Sequence, residues 1–127
     1  MSAPVIIVVD DEALLRWAVA ESLTAAGFSV RQAQNAVEAV NCLDGARESP
    51  LVVVLDLKLP DSNDLSLARR IMLDRPDAPV ILMTAHGSAQ DKAEAEAAGV
   101  YKFIQKPFDL SEMTAVVREA AAKLGDR

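Results

Sequence analysis

The sequence predicts an α/β domain, a (βα)5 unit whose five parallel strands form one doubly wound sheet with helices on both faces. Three observations carry that prediction. Short unbroken apolar runs recur, the clearest being Val5-Ile6-Ile7-Val8-Val9, Leu51-Val52-Val53-Val54-Leu55 and Val80-Ile81-Leu82-Met83. Runs of this length, bounded by turn residues, suit strands buried on both faces better than helices, which need more residues. Longer stretches at helical spacing alternate with them, and that alternation implies right-handed crossovers between parallel neighbours. Finally, each of these runs gives way at its C-terminal end to a polar side chain. The strand order 2-1-3-4-5 is expected from precedent among doubly wound sheets of this count.

In chain order, β1 (residues 5–9) ends on Asp10-Asp11-Glu12. Helix α1 is expected from Leu15, with Leu15, Ala18, Val19, Leu23 and Ala26 at helical spacing and Gly27 as its stop. Phe28-Ser29-Val30-Arg31 alternates, as a strand nearer an edge does, and is β2. Asn35 with Glu38 gives α2 a capping-box-like start; Val37, Val40 and Leu43 are its expected inward positions, and Asp44-Gly45 ends it. After β3 (residues 51–56), Asn63 or Asp64 is expected to cap α3, whose apolar side is Leu65, Leu67, Ala68, Ile71 and Met72. Asp74 to Pro79 breaks the chain before β4, which ends on Thr84.

The segment from Ser88 to Ala98 is α4, capped by Ser88 with Asp91 at the third position, and it contains no Leu, Ile, Val, Phe or Met. Alanines alone bury little area at roughly 25 cal/mol per Å², so α4 is expected to be the most loosely held element. Gly99 stops it, and β5 (residues 101–105) runs to Lys106-Pro107. Asp109 with Glu112 is expected to cap α5, whose inward stripe is Leu110, Met113, Val117 and Leu124, and the chain turns polar from about residue 124. No repeat or internal boundary interrupts this pattern, so residues 1–127 read as a single domain.

Composition narrows the function. A net charge of −6 in 127 residues and a pI near 4.7 suit nucleic acid poorly, so no contact with it is expected from this domain. No apolar run approaches the roughly 18 residues that span a bilayer, and the early Pro4 and Asp10 do not resemble a secretory signal. The single Cys42 cannot form an internal disulfide, which makes the cytoplasm the expected location, with Cys42 a packed hydrophobe on a helix.

The polar strand ends carry the chemistry. Parallel strands bring Asp10-Asp11, Asp56, Thr84 and Lys106 to one rim, where open α/β sheets hold their ligands. Three clustered carboxylates repel one another and raise one another's pKa unless a cation sits among them. Hard oxygen ligands with open positions suit Mg2+. The Lys106 ammonium and the Thr84 hydroxyl can then hold phosphoryl oxygens, an arrangement suited to phosphoryl transfer with an aspartate as covalent acceptor.

Four fragments in order, Asp10-Asp11-Glu12, Asp56-Leu57-Lys58-Leu59-Pro60, Met83-Thr84-Ala85 and Lys106-Pro107-Phe108, make the chain from Val5 to about Leu124 resemble the receiver domain of two-component response regulators. Each fragment alone is a weak signal; all four at domain-scale spacing are a strong one. The resemblance implies a flavodoxin-like strand order and a signalling switch, not a conventional enzyme. It makes Asp56 the phosphoacceptor, with Asp11, Asp56 and the Lys58 carbonyl on Mg2+, and Asp10 acting through water or by orienting its neighbour. Thr84 and Lys106 would bind the phosphoryl group, and Lys106-Pro107 would be a cis peptide.

The resemblance also makes Phe103 the aromatic switch residue, with Tyr101 two positions earlier on the same face, and implies that Lys58 and His86 would flank the phosphoryl group and modulate its hydrolysis. Asp64 stands where many receivers carry glycine. Met83 to Ser88 and Lys106 to Leu110 are most similar to receivers of the NtrC type, which precede an ATPase and a DNA-binding domain. That implies a sensor histidine kinase as partner, an excised or stand-alone receiver, and self-dimerisation as a possible use of the α4-β5-α5 surface.

Two other classes are less well matched. An aspartate-nucleophile phosphatase needs a second carboxylate two residues after the first, where this chain has Lys58. A nucleotide-binding or flavin-binding module needs a glycine-rich phosphate loop after β1, where this chain has acids that would repel a bare phosphate.

Overall fold

The computed structural model describes residues 3–125. The strands are β1 (Val5–Val9), β2 (Ser29–Ala33), β3 (Leu51–Asp56), β4 (Val80–Thr84) and β5 (Lys102–Gln105), and they form one parallel sheet in the order β2-β1-β3-β4-β5. Helices α1 (Ala13–Ala25) and α5 (Leu110–Gly125) cover one face, and α2 (Ala36–Gly45), α3 (Ser66–Asp74) and α4 (Ala89–Ala98) the other. This is the doubly wound (βα)5 fold that the sequence predicts.

Every residue of β1, β3 and β4 is buried. Successive side chains of a strand point to opposite faces, so a sheet covered on both sides needs apolar residues at every position. Val5, Ile7, Val9, Val53 and Leu55 pack with α2, α3 and α4, while Ile6, Val8, Val52, Val54 and Met83 pack with α1 and α5. Each such side chain contributes about 1.5–3 kcal/mol. The central strands therefore fix the rim on which the polar residues sit.

Several helices depart from expectation in detail. Helix α3 starts at Ser66, so neither Asn63 nor Asp64 is its N-cap; that position falls to Leu65, whose buried side chain cannot cap. Asp64 instead accepts bonds from the Ser66 backbone N–H at 2.9 Å and from the Ser66 hydroxyl, holding the first turn from one residue further out. In α2, Asn35 caps the Glu38 N–H at 2.9 Å as expected, but the Glu38 carboxylate turns to the Gln34 backbone N–H at 3.0 Å. Val37 is 64% exposed, because the buried stripe runs through Ala39 and Leu43.

Helix α1 begins at Ala13, ahead of Leu15, and leaves Leu14 and Trp17 exposed. In α5 the stripe is Met113, Val116, Val117, Ala120 and Ala121; Leu110 is exposed, and the helix continues past Leu124. Asp126 and Arg127, the rest of the expected polar tail, lie outside the described residues. Strand β5 starts at Lys102, so Tyr101 precedes it and escapes its alternation: Tyr101 packs on the α1 and α5 side, Phe103 on the other.

The cap and the stop expected for α4 are both present. Ser88 Oγ accepts from the Asp91 N–H at 3.0 Å and Asp91 accepts from the Ser88 N–H at 3.3 Å, a complete capping box. Ala95 is its only buried residue, and Gly99 ends it in the left-handed region at φ 103°.

Candidate functional site

Strands β1 and β3 are adjacent and in register, so their ends place Asp10 and Asp56 side by side. Both are buried, at 0% and 4% exposure, which is unusual for carboxylates and calls for partners. The partner comes from beyond β5: Lys106 Nζ lies 2.9 Å from Asp10 Oδ2, 3.0 Å from Asp56 Oδ2 and 2.8 Å from Glu12 Oε1. The cis Lys106-Pro107 peptide follows, and the Lys106 N–H donates to the Thr84 carbonyl at 2.8 Å, tying this loop to the end of β4.

The remaining carboxylate oxygens are held by backbone. Asp56 Oδ1 accepts from the Lys58 N–H at 3.0 Å, and Asp10 Oδ1 from the Glu12 N–H at 2.8 Å. Burial pushes the Asp10 carboxyl above its ordinary range despite the neighbouring Lys106 ammonium and the bond from the Glu12 N–H. Burial also disfavours the Lys106 ammonium, but Glu12, Asp10 and Asp56 outweigh it and hold the lysine well above its usual value.

One carboxylate oxygen from each of Asp10, Asp11 and Asp56 lies within 4.8 Å of the other two, and Asp11 is exposed. Asp10 Oδ2 is buried and receives no hydrogen bond of normal angle, although Lys106 stands at ion-pair distance. A set of hard anionic oxygens, one of them short of a donor, fits a hard divalent cation such as Mg2+.

Thr84, fully buried at the end of β4, accepts from the His86 N–H at 3.3 Å, and its own hydroxyl hydrogen has no acceptor among the described residues. Beside it lie Gly87 and the Phe103 ring. A Cβ on Gly87 would stand 2.6 Å from Phe103 Cζ and 2.8 Å from Thr84 Cγ2, so only glycine lets the ring sit against this loop. Lys58 and His86 have exposed side chains at the rim. Tyr101 is not brought to the site: its ring faces α5, with Lys123 Nζ 5.2 Å from its centroid. Burial and the neighbouring Glu119 raise its phenol above the usual range.

Three contacts had no sequence signal. Glu12 occupies the N-cap position of α1 without capping it, because its side chain reaches Lys106. Arg16, one turn into α1, donates to the Asp10 carbonyl at 2.8 Å and to Gln32 at 3.2 Å. Asp61, in the loop after β3, caps α2 by accepting from the Ala36 and Val37 N–H groups at 2.8 and 3.3 Å.

The family described as the response regulator receiver domain matches residues 6–118. Among curated relatives, the chain is 35% identical over 123 residues to the DNA-binding transcriptional regulator NtrC of Rhizobium meliloti, covering 97% of this chain and 25% of that protein. It is 32% identical over 120 residues to NtrC of Escherichia coli K12, covering 94% of this chain and 25% of that one. The chain thus spans about a quarter of the length of these relatives. The solution structure of the beryllofluoride-activated NtrC4 receiver domain dimer superimposes with a TM-score of 0.85 at 28% identity, covering 94% of this chain and 97% of that one. A sheet whose rim gathers these acids around one lysine, matched over most of its length by sequence and by structure, makes this chain a member of the response regulator receiver domain family.

Proposed function

We propose that residues 1–127 act as one phosphoacceptor switch in which Asp56 takes a phosphoryl group from the phosphohistidine of a partner sensor histidine kinase in the cytoplasm. The observation that carries this reading is Lys106 Nζ at 2.9–3.0 Å from two buried carboxylates beside a third. A structural lysine needs one partner; one shared among acids at a strand rim stands where phosphoryl charge would accumulate.

A carboxylate oxygen of Asp56 attacks phosphorus, the phosphorus–nitrogen bond breaks, and its electron pair stays on the imidazole, which takes a proton from solvent. Mg2+, held by Asp11, Asp56 and the Lys58 carbonyl with Asp10 behind them, would supply neutralisation of the phosphoryl oxygens. Lys106 donates to one of those oxygens and Thr84, through its unused hydroxyl, to another. Lys58 and His86 at the rim set how readily water reaches the aspartyl phosphate.

Movement of Thr84 disturbs its contact with Gly87 and Phe103, and the ring, lacking a hydroxyl, responds through packing alone. The disturbance biases the β4–α4 loop and α4 between two states and alters the α4-β5-α5 surface. That surface serves dimerisation or contact with an ATPase and a DNA-binding domain, the organisation of NtrC-type regulators. Tyr101, on the opposite side, takes no part.

Intact mass after incubation with acetyl phosphate and Mg2+ tests the assignment. One phosphoryl group should add to the protein and none to Asp56→Asn; a gain that survives that substitution would falsify Asp56 as the acceptor.

A further inference from the structure

The ammonium of Lys106 has three hydrogens, and three carboxylates stand within 3.0 Å of it. It donates to Glu12 and Asp56 and stands at ion-pair distance from Asp10, so a phosphoryl oxygen must compete with these carboxylates for the ammonium. Asp10 and Asp56 are buried and anchored through their other oxygens by the Glu12 and Lys58 N–H groups, so withdrawing either strands a buried charge. Glu12 differs: its side chain is 59% exposed, and water can replace the lysine around its carboxylate.

A second observation concerns what Glu12 forgoes. It is the N-cap residue of α1, a position where Ser, Thr, Asp or Asn would bond the first free N–H groups. Glu12 makes no such bond, and no acidic residue lies in the first turn of α1 to compensate. The helix start is left uncapped while the carboxylate crosses to a loop 94 residues away in sequence.

We infer that Glu12 is a releasable positioning residue, a latch that holds one hydrogen of Lys106 until a phosphoryl oxygen displaces it. The inference rests on the reading of Asp56 as acceptor. Glu12 does not touch the reacting atoms; it sets the ease with which Lys106 reaches them. Opening the latch costs the free energy of one exposed ion pair, so its removal should speed phosphorylation.

The test compares initial rates of phosphoryl gain from acetyl phosphate at saturating Mg2+, read by intact mass, in the wild type, Glu12→Gln, Glu12→Asp and Glu112→Gln. Glu12→Gln should react about two- to fivefold faster, the equivalent of an exposed ion pair. Glu12→Asp keeps the charge but is one methylene short, and should match Glu12→Gln. Glu112→Gln removes an acid from α5 and should match the wild type.

An unchanged rate in Glu12→Gln overturns the latch. So does acceleration in Glu12→Gln with a wild-type rate in Glu12→Asp, or equal acceleration in Glu112→Gln, since either would mean that net charge alone governs the rate. Wild-type protein that gains no phosphoryl group overturns the acceptor reading itself, a result distinct from those three.

Discussion

Lys106→Met removes the cation that Asp10, Glu12 and Asp56 share, and its effect on the metal-free protein can be worked from the pocket. The lysine side chain is only 8% exposed, and taking one partner from a buried ion pair costs about 3–5 kcal/mol. The exposed Glu12 contact adds at most about 1 kcal/mol. Protonation limits the loss. From its ordinary 3.8, protonating Asp10 at pH 7 costs about 4 kcal/mol at 1.36 kcal/mol per unit, and less because burial already raises it. The expected loss at pH 7 is therefore about 2–4 kcal/mol.

The signs follow from linkage. Lys106 is held above its ordinary 10.5, so its contribution is complete at neutral pH and is lost only as pH rises through that higher folded value. Asp10 is also raised, so the folded state binds its proton more tightly than the unfolded chain does. Its effect is to lower stability as pH rises through the interval above 3.8. The deficit of Lys106→Met should thus shrink between pH 7 and pH 5. Mg2+ should stabilise the variant more than the wild type, because the pocket is more negative. Urea denaturation followed by circular dichroism, with chelator and with Mg2+, measures all three. A loss below about 1 kcal/mol at pH 7, far under that of a broken buried pair, or one equal at pH 5 and pH 7, refutes the reasoning.

Other perturbations address neighbouring parts of the pocket. Asp56→Ala should leave the metal-free fold as stable or more so, because Lys106 keeps Asp10 and Glu12 while one acid is gone; a loss beyond about 2 kcal/mol in urea contradicts this. Gly87→Ala places a methyl group against the Phe103 ring and should cost about 1–3 kcal/mol. It should also shift the Phe103 ring resonances in NMR spectra; unchanged resonances would show that the ring does not rest on this loop. Ser88→Ala removes half of the α4 capping box at about 1 kcal/mol. Amide exchange should then rise through α4, which should already exchange faster than α3 or α5 in the wild type; equal protection across the three helices would contradict its loose docking.

The core was legible in the sequence because a buried parallel strand must be apolar at every position, and β1, β3 and β4 announce themselves that way. The site was legible because polar residues at such strand ends have few other reasons to be there. What escaped was the outward half of each helix and the contacts that cross between loops. Val37 and Ala39 are both small apolar residues, and which faces inward depends on how α2 lies on the sheet. Tyr101 and Phe103 share a face only if the strand begins early enough to include both. Glu12, Arg16 and Asp61 are ordinary surface-type residues, and nothing local says that one crosses to Lys106, another to a carbonyl and the third to a different helix.

Asp61 gives the molecule a direction. By capping α2 it clamps the loop after β3 to a helix that packs on the core, while Arg16 pins the end of β1 to α1 and β2. Two walls of the pocket are braced against neighbours that cannot move without disturbing the central strands. The third wall, the loop after β4, leads into a helix seated on a single buried alanine. On the proposed function, strain introduced at Asp56 should therefore relax towards α4, and the fold would work as a rectifier that sends chemistry at the rim to the side least firmly packed.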